Sequence, residues 1–281
     1  MNDDAPSLTT TTVAAHWHPM AQLWKLLGPP LRLSPEDVAG YRRFAWEWID
    51  RNGPPRVLLL GVTPEIHGLP WPEGHDFVAA DTSLAMIDHI WPGARDQVLH
   101  TDWLDLMLPP ASRDLVLSDG GLNQVNSPAG REKLADLLHH ILPRGGRFIT
   151  RLYTLPTVAE SPDAVIASLL AGEIANLNLL KLRLGMAMQE SPAHGIAVRE
   201  IYEKLRDSTS DWQTLAAQLG WPLDHLLAIE AYRDSGASYC FFSAGDVVKL
   251  FCESGKFALL GSHVAAYPLG ERCPMMAFER L

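Results

Sequence analysis

Residues 56–65 read Arg56-Val57-Leu58-Leu59-Leu60-Gly61-Val62-Thr63-Pro64-Glu65, a short unbroken apolar run ending in glycine. A strand covered on both faces has no wet side to impose alternation, so this run suits the interior of a parallel sheet. HDFVAAD (75–81), QVLHTD (97–102), DLVLSDG (114–120) and RFITRLY (147–153) repeat the pattern. Between them, SLAMIDHIW (83–91) and AGREKLADLLHHIL (129–142) are long enough to cross over as helices. The middle of the chain is therefore an α/β unit.

Outward from this core the pattern becomes helical. VAAHWHPMAQLWKLL (13–27) places Val13, Trp17, Met20, Leu23, Trp24 and Leu27 on one face of a helix. Residues 1–12, polar and Thr-rich, read as loose. Ser34-Pro35-Glu36-Asp37 opens a second helix through Tyr41, Phe44, Ala45 and Trp48, and Gly53-Pro54-Pro55 stops it. After Tyr153 the strand signal disappears, and residues 161–189, 193–207, 211–219 and 222–232 all read as helix. The end returns to α/β, with a helix at 243–254 and strands at 257–267 and 273–281 paired antiparallel across a short connection. The division is an N-terminal helical cap (1–52), an α/β core (53–155 with 241–281) and a helical insertion (156–240) acting as substrate lid.

Composition excludes several classes. The 281 residues are 47% hydrophobic and 20% charged, as in an ordinary folded protein. A net charge of −10 opposes binding to a phosphate backbone, so nucleic acid is not an expected partner. Cys240, Cys252 and Cys273 form no Cys-x-x-Cys pair and suit a reducing cytoplasm. His16 and His18 flank Trp17 without cysteines or a carboxylate cluster, which reads as surface histidines and assigns no metal. No apolar run approaches a membrane span and the N-terminus lacks a signal-peptide pattern.

In an open parallel sheet, ligands lie beyond the carboxyl ends of the strands, where the strand order reverses. Here those ends carry Gly61, Asp81, Asp102-Trp103 and Asp119-Gly120-Gly121-Leu122-Asn123. Gly61 permits close backbone approach, and Asp81, twenty residues on, suits the two hydroxyls of a ribose. Asp102 can accept from an adenine amino group while Trp103, Met86 or Leu104 packs on the purine. Thr63 and Thr82, following the first two strand ends, join this cofactor set. The pyrophosphate turn Gly-x-Gly-x-x-Gly is missing, since Val62-Thr63-Pro64 follow Gly61, so an adenosyl ligand without phosphates fits better than a dinucleotide. Structural readings compete: Asp81 as a helix cap, Asp102 as a turn residue, Trp103 as core, Asp119 and Asn123 as Asx-turn formers.

These motifs resemble the class I S-adenosylmethionine-dependent methyltransferase fold over residues 56–155 and the last two strands. VLLLGVTPE stands where that family has its Gly-rich motif, AADTSLAMI at its acidic loop, and HTDWLDL at its adenine-contacting motif. DLVLSDGGLN stands at the fourth motif, and LLHHILPRGGRFITRLY at its Leu-Pro-x-Gly-Gly segment and fifth strand. The resemblance implies a Rossmann-like α/β fold with a mostly parallel seven-stranded sheet and an antiparallel last strand. It also implies S-adenosylmethionine as cofactor and a small-molecule acceptor under the insertion. It puts Asp119 and Asn123 beside the sulfonium, and with Tyr153, which ends the fifth strand, these are the catalytic candidates; Val62, Thr63 and Pro64 depart from the family at the methionine end. LGVTPE, SDGGLN and the long insertion are also similar to a branch including enzymes that cyclise S-adenosylmethionine to azetidine-2-carboxylate and methylthioadenosine. A third alternative is a non-catalytic adenosyl-binding protein. The aromatic face of Trp17, Trp24, Phe44 and Trp48 is either packing or a lid, and Lys181 and Arg183 either meet a carboxylate or lie on a solvated helix face. The acceptor itself and the oligomeric state are not legible.

Overall fold

The computed structural model describes residues 10–281. Seven strands build one sheet: β1 (Arg56–Leu60), β2 (Asp76–Asp81), β3 (Val98–His100), β4 (Leu115–Asp119), β5 (Arg147–Arg151), β6 (Phe257–His263) and β7 (Met275–Arg280). Their order is β3-β2-β1-β4-β5-β7-β6. The first five run parallel, and β7 is antiparallel to both β5 and β6. Strand order reverses between β1 and β4, neighbours in register from Val57↔Leu115 to Leu60↔Ser118. The apolar runs are the parallel strands they were expected to be, and the whole is the Rossmann-like architecture that the family resemblance implies.

Around the sheet lie α1 (Thr10–Gln22), α2 (Pro35–Asn52), α3 (Pro64–His67), α4 (Leu84–His89), α5 (Pro128–Ile141), α6 (Pro162–Leu170), α7 (Leu177–Met188), α8 (Val198–Asp207), α9 (Trp212–Leu219), α10 (Leu223–Leu227) and α11 (Ala244–Cys252). Val57 and Leu59 pack with Tyr41, Phe44 and Ile49 of α2, while Leu58 and Leu60 pack with Leu134 and Leu138 of α5 and Phe251 of α11. Both pleat faces are covered, which is why β1 is apolar at every position after Arg56. The start of α2 is fixed as its sequence requires: Asp37 N donates to Ser34 Oγ at 3.1 Å, and Ser34 N donates to Asp37 Oδ2 at 2.8 Å. A third apolar cluster joins α6 through α9 to Met20, Leu27 and Tyr153.

Several elements differ from the sequence expectation. Thr10–Thr12 belong to α1, while the rest of the expected loose start lies outside the described residues. The helix expected to Leu27 stops at Gln22 and continues as a 3-10 turn at Trp24–Leu26, because Gly28-Pro29-Pro30 ahead cannot extend it. The 161–189 helix is two helices, α6 and α7, parted by Ala171–Asn176. Ile196–Ala197 and Ser238–Tyr239, expected as helix or its flank, form an antiparallel ladder. Gly195 makes it possible, since a Cβ there would stand 2.5 Å from the Tyr239 carbonyl oxygen. The strand expected to reach Tyr267 ends at His263, and Tyr267 turns inward to an ion cluster beneath the sheet tips.

Candidate functional site

The carboxyl ends of β1, β2 and β4 open into a single cavity of about 680 Å³. Gly61, at φ +106°, donates its N–H to Ala80 O at 2.8 Å, clipping the end of β1 to β2. The same carbonyl accepts Trp103 Nε1 at 2.6 Å, so one oxygen holds the glycine turn and lays the indole against it. Asp81 Oδ1 accepts from Ser83 N at 2.8 Å, and burial pushes this carboxyl up to about 6 against the pull of that bond. Asp102 caps the 3-10 turn Trp103–Asp105 by accepting from Leu104 N at 2.9 Å. The capping readings of Asp81 and Asp102 are therefore real, and both residues also line the cavity. Gly61, Thr63, Asp81, Thr82, Met86, Asp102, Trp103, Asp119 and Tyr153 all border this one space.

Asn123 does not. It is fully buried, with Nδ2 donating to Tyr153 O at 2.8 Å and Cys240 O at 2.6 Å and Oδ1 accepting from Tyr153 N at 2.9 Å. Its amide is consumed in tying the β4 turn to the exit of β5 and to the return from the insertion. The catalytic reading of Asn123 is corrected to a structural one.

Beneath the cavity lies an ion cluster centred on Arg151, buried at the end of β5. Its guanidinium bonds Asp119 twice, Tyr267 Oη at 2.9 Å, Asp37 Oδ2 at 3.3 Å and Tyr153 Oη at 3.4 Å. Burial holds the Tyr153 phenol well above its ordinary value, so it serves as a neutral hydroxyl. The sequence carried a signal for this cluster that went unread: an arginine inside a doubly buried strand requires carboxylate partners.

The opposite wall comes from the two ends of the helical material. Trp17, Met20 and Trp24 approach from the N-terminal side, and His194, Tyr232 and Tyr239 from the insertion. Phe44 and Trp48 do not share this wall. Phe44 is core and Trp48 Nε1 donates to Gly145 O at 3.0 Å, so the expected aromatic face splits between packing and cavity. Gln124 and Asn126 also line the cavity and were missed, since nothing in their pattern separates them from loop residues. The expected surface histidine His16 is 2% exposed. Lys181 is likewise 2% exposed and Arg183 pairs with Glu160 at 2.6 Å, so neither lies on a solvated face. Among the described residues, no three His, Cys, Asp or Glu side chains are grouped to hold a metal, and no helix is long and apolar enough to cross a membrane.

No family model matches the chain, and no curated protein matches its sequence. Solved structures match by shape. A Rhodobacter sphaeroides protein described as a Zn-dependent alcohol dehydrogenase is 17% identical over 97% of this chain and 100% of its own, at a TM-score of 0.62. The 1,6-didemethyltoxoflavin-N1-methyltransferase of Burkholderia thailandensis, solved with 1,6-didemethyltoxoflavin and S-adenosylhomocysteine, is 14% identical over 99% and 92%, at 0.51. The CcbJ methyltransferase of Streptomyces caelestis is 11% identical over 95% and 98%, also at 0.51. With the strand order and the antiparallel last strand, these likenesses establish the class I S-adenosylmethionine-dependent methyltransferase fold. At such identities they speak to fold alone.

Proposed function

We propose that the chain binds S-adenosylmethionine and transfers its methyl group to a small molecule. The observation that carries this reading is the convergence of the adenosyl set, Gly61 through Asp119, on one cavity that continues to an aromatic wall from the insertion.

The residues fit the group. Asp81 is a half-buried carboxylate whose loss of solvent outweighs the backbone bonds from Ser83 and Thr82, and two ribose hydroxyls would add donors to it. Asp102 lines the same cavity and would accept from an adenine amino group, with the neighbouring Trp103 and Met86 offering apolar surface for a purine. Gly61 holds φ +106°, a conformation that side chains rarely adopt, and so leaves the turn bare beside the Trp103 ring.

Bound S-adenosylmethionine supplies an electrophilic methyl on sulfur. The chain's own contribution is placement. Asp119, held rigid by Arg151, presents a carboxylate at the β4 tip, and Trp17, Trp24 and Tyr153 line the cavity with aromatic surface that would displace water. Orientation of acceptor and sulfonium in this enclosure lowers the barrier. The space beside His194, Tyr232 and Tyr239 favours a separate acceptor, since ring closure within the donor needs none.

Mass spectrometry of the products tests this. An acceptor-dependent conversion to S-adenosylhomocysteine supports methyl transfer. Methylthioadenosine with azetidine-2-carboxylate from the donor alone replaces it with cyclisation. Calorimetric binding with no turnover across an acceptor panel leaves an adenosyl-binding protein, and no binding removes the adenosyl reading.

A further inference from the structure

We propose that the methyl acceptor is an apolar molecule without an ionised acid group, an inference that rests on the reading above. The fixed charge on the cavity wall is of one sign. Asp81, Asp102 and Asp119 line it, and among the described residues no lysine or arginine does. Residues 1–15 contain neither.

The neighbouring cations do not reach this wall. Arg151 lies beneath it in bonds to Asp119 and Asp37. Arg32 is paired with Glu65 at 2.5 Å, its guanidinium over the Trp24 ring. The Lys181 ammonium is buried 4.3 Å from the Tyr232 ring centroid. None of the three borders the cavity. His194 borders it but is exposed, where water screens whatever charge it carries.

The donor suits such a wall, and the acceptor meets what is left. S-adenosylmethionine carries an ammonium and a sulfonium against a single carboxylate, so it brings its own counter-charges and an excess positive charge to the aspartates. No cation remains for the acid group of a second molecule. A carboxylate or phosphate drawn from water into this space would meet aspartates and no free lysine or arginine, and would lose its hydration without compensation. Elsewhere the wall is apolar or neutral: Trp17, Trp24, Leu31 and Tyr232 supply rings and methyls, and Gln124 and Ser127 uncharged polar groups. The acceptor class is an apolar compound free of carboxylate and phosphate.

Calorimetric titration of the full chain at neutral pH with 2-naphthoate and 2-naphthamide, which share a shape and differ in charge, tests this with and without saturating S-adenosylhomocysteine. The wild type is expected to bind the amide at least about tenfold more tightly. Gln124→Lys puts one cation on the wall and should shift that ratio toward the carboxylate by about tenfold. A wild type that binds neither probe, both equally or the carboxylate better overturns the proposal, as does a folded Gln124→Lys that keeps the wild-type ratio; should that variant not fold, the wild type decides alone. S-adenosylhomocysteine binding is read in the same titrations. Its failure removes the cofactor reading, while the probe preference of the ligand-free chain still judges the wall.

Discussion

Arg151 and Asp119 face each other through two hydrogen bonds, Nε to Oδ1 at 2.6 Å and Nη2 to Oδ2 at 3.1 Å, beneath the cavity. The guanidinium also neutralises Asp37, so it is the shared counter-ion of two buried carboxylates. Arg151→Met leaves both charges stranded. A loss of about 3–5 kcal/mol is expected in urea unfolding, with Asp37→Asn in the same chain recovering part of it. An unfolding midpoint equal to wild type would contradict this account.

Asp81 is expected to trade stability for binding. Its folded pKa, near 6, lies above the ordinary carboxylate value of 3.8, so the fold prefers the protonated form. Stability from this group is present below 3.8 and lost as pH rises to about 6. Asp81→Asn should therefore stabilise the free chain by about 1–3 kcal/mol at neutral pH and by nothing at the acid end of that window. S-adenosylhomocysteine should bind the variant at least about tenfold more weakly, because one of the two acceptor oxygens becomes an NH2 group that cannot accept from a ribose hydroxyl. In the wild type, affinity should rise with pH through about 6.

Asn123→Ala separates structure from chemistry. Three buried hydrogen bonds disappear, and two carbonyls and one N–H are left in a dry site. Thermal unfolding should reveal a loss of about 2–4 kcal/mol. Ligand affinity of the folded protein should be unchanged, since the side chain does not reach the cavity; a selective loss of affinity would return Asn123 to the site.

Lys181 is buried on α7 with its ammonium unbonded and 4.3 Å from the Tyr232 ring centroid. Burial lowers its pKa from 10.5 to about 7. The folded state thus holds the proton less tightly than the unfolded chain, and stability from this group is present above 10.5 and lost as pH falls toward 7. Lys181→Met should stabilise the protein by about 1–3 kcal/mol at pH 6, with the gain fading as pH approaches 10.5. Chemical denaturation at both pH values checks the trend.

The sheet was legible because its physics is local. Val57 through Leu60 cannot alternate when α2 covers one face and α5 the other, and the strand-tip glycine and carboxylates follow at once. Asp81 and Asp102 were found by position in that series. What stayed hidden depends on chain reversal. Nothing near Asn123 announces that its amide will meet Cys240, and nothing near Tyr232 or Tyr239 announces that they will wall a cavity begun at Gly61. Arg151 lies between these cases, an internal charge whose partners Asp37 and Tyr267 come from opposite ends of the sequence.

The bond between His16 and Ser235 joins positions 219 residues apart. On the ribosome, the first helix leaves the exit channel long before the serine and tyrosines it packs against have been made. The floor of the cavity at the tips of β1, β2 and β4 can assemble while its opposite wall is still untranslated. A chain halted before Tyr232 would have the strand tips but lack Tyr232 and Tyr239 from the facing wall, so the enclosed cavity forms only once the segment that carries them has been made.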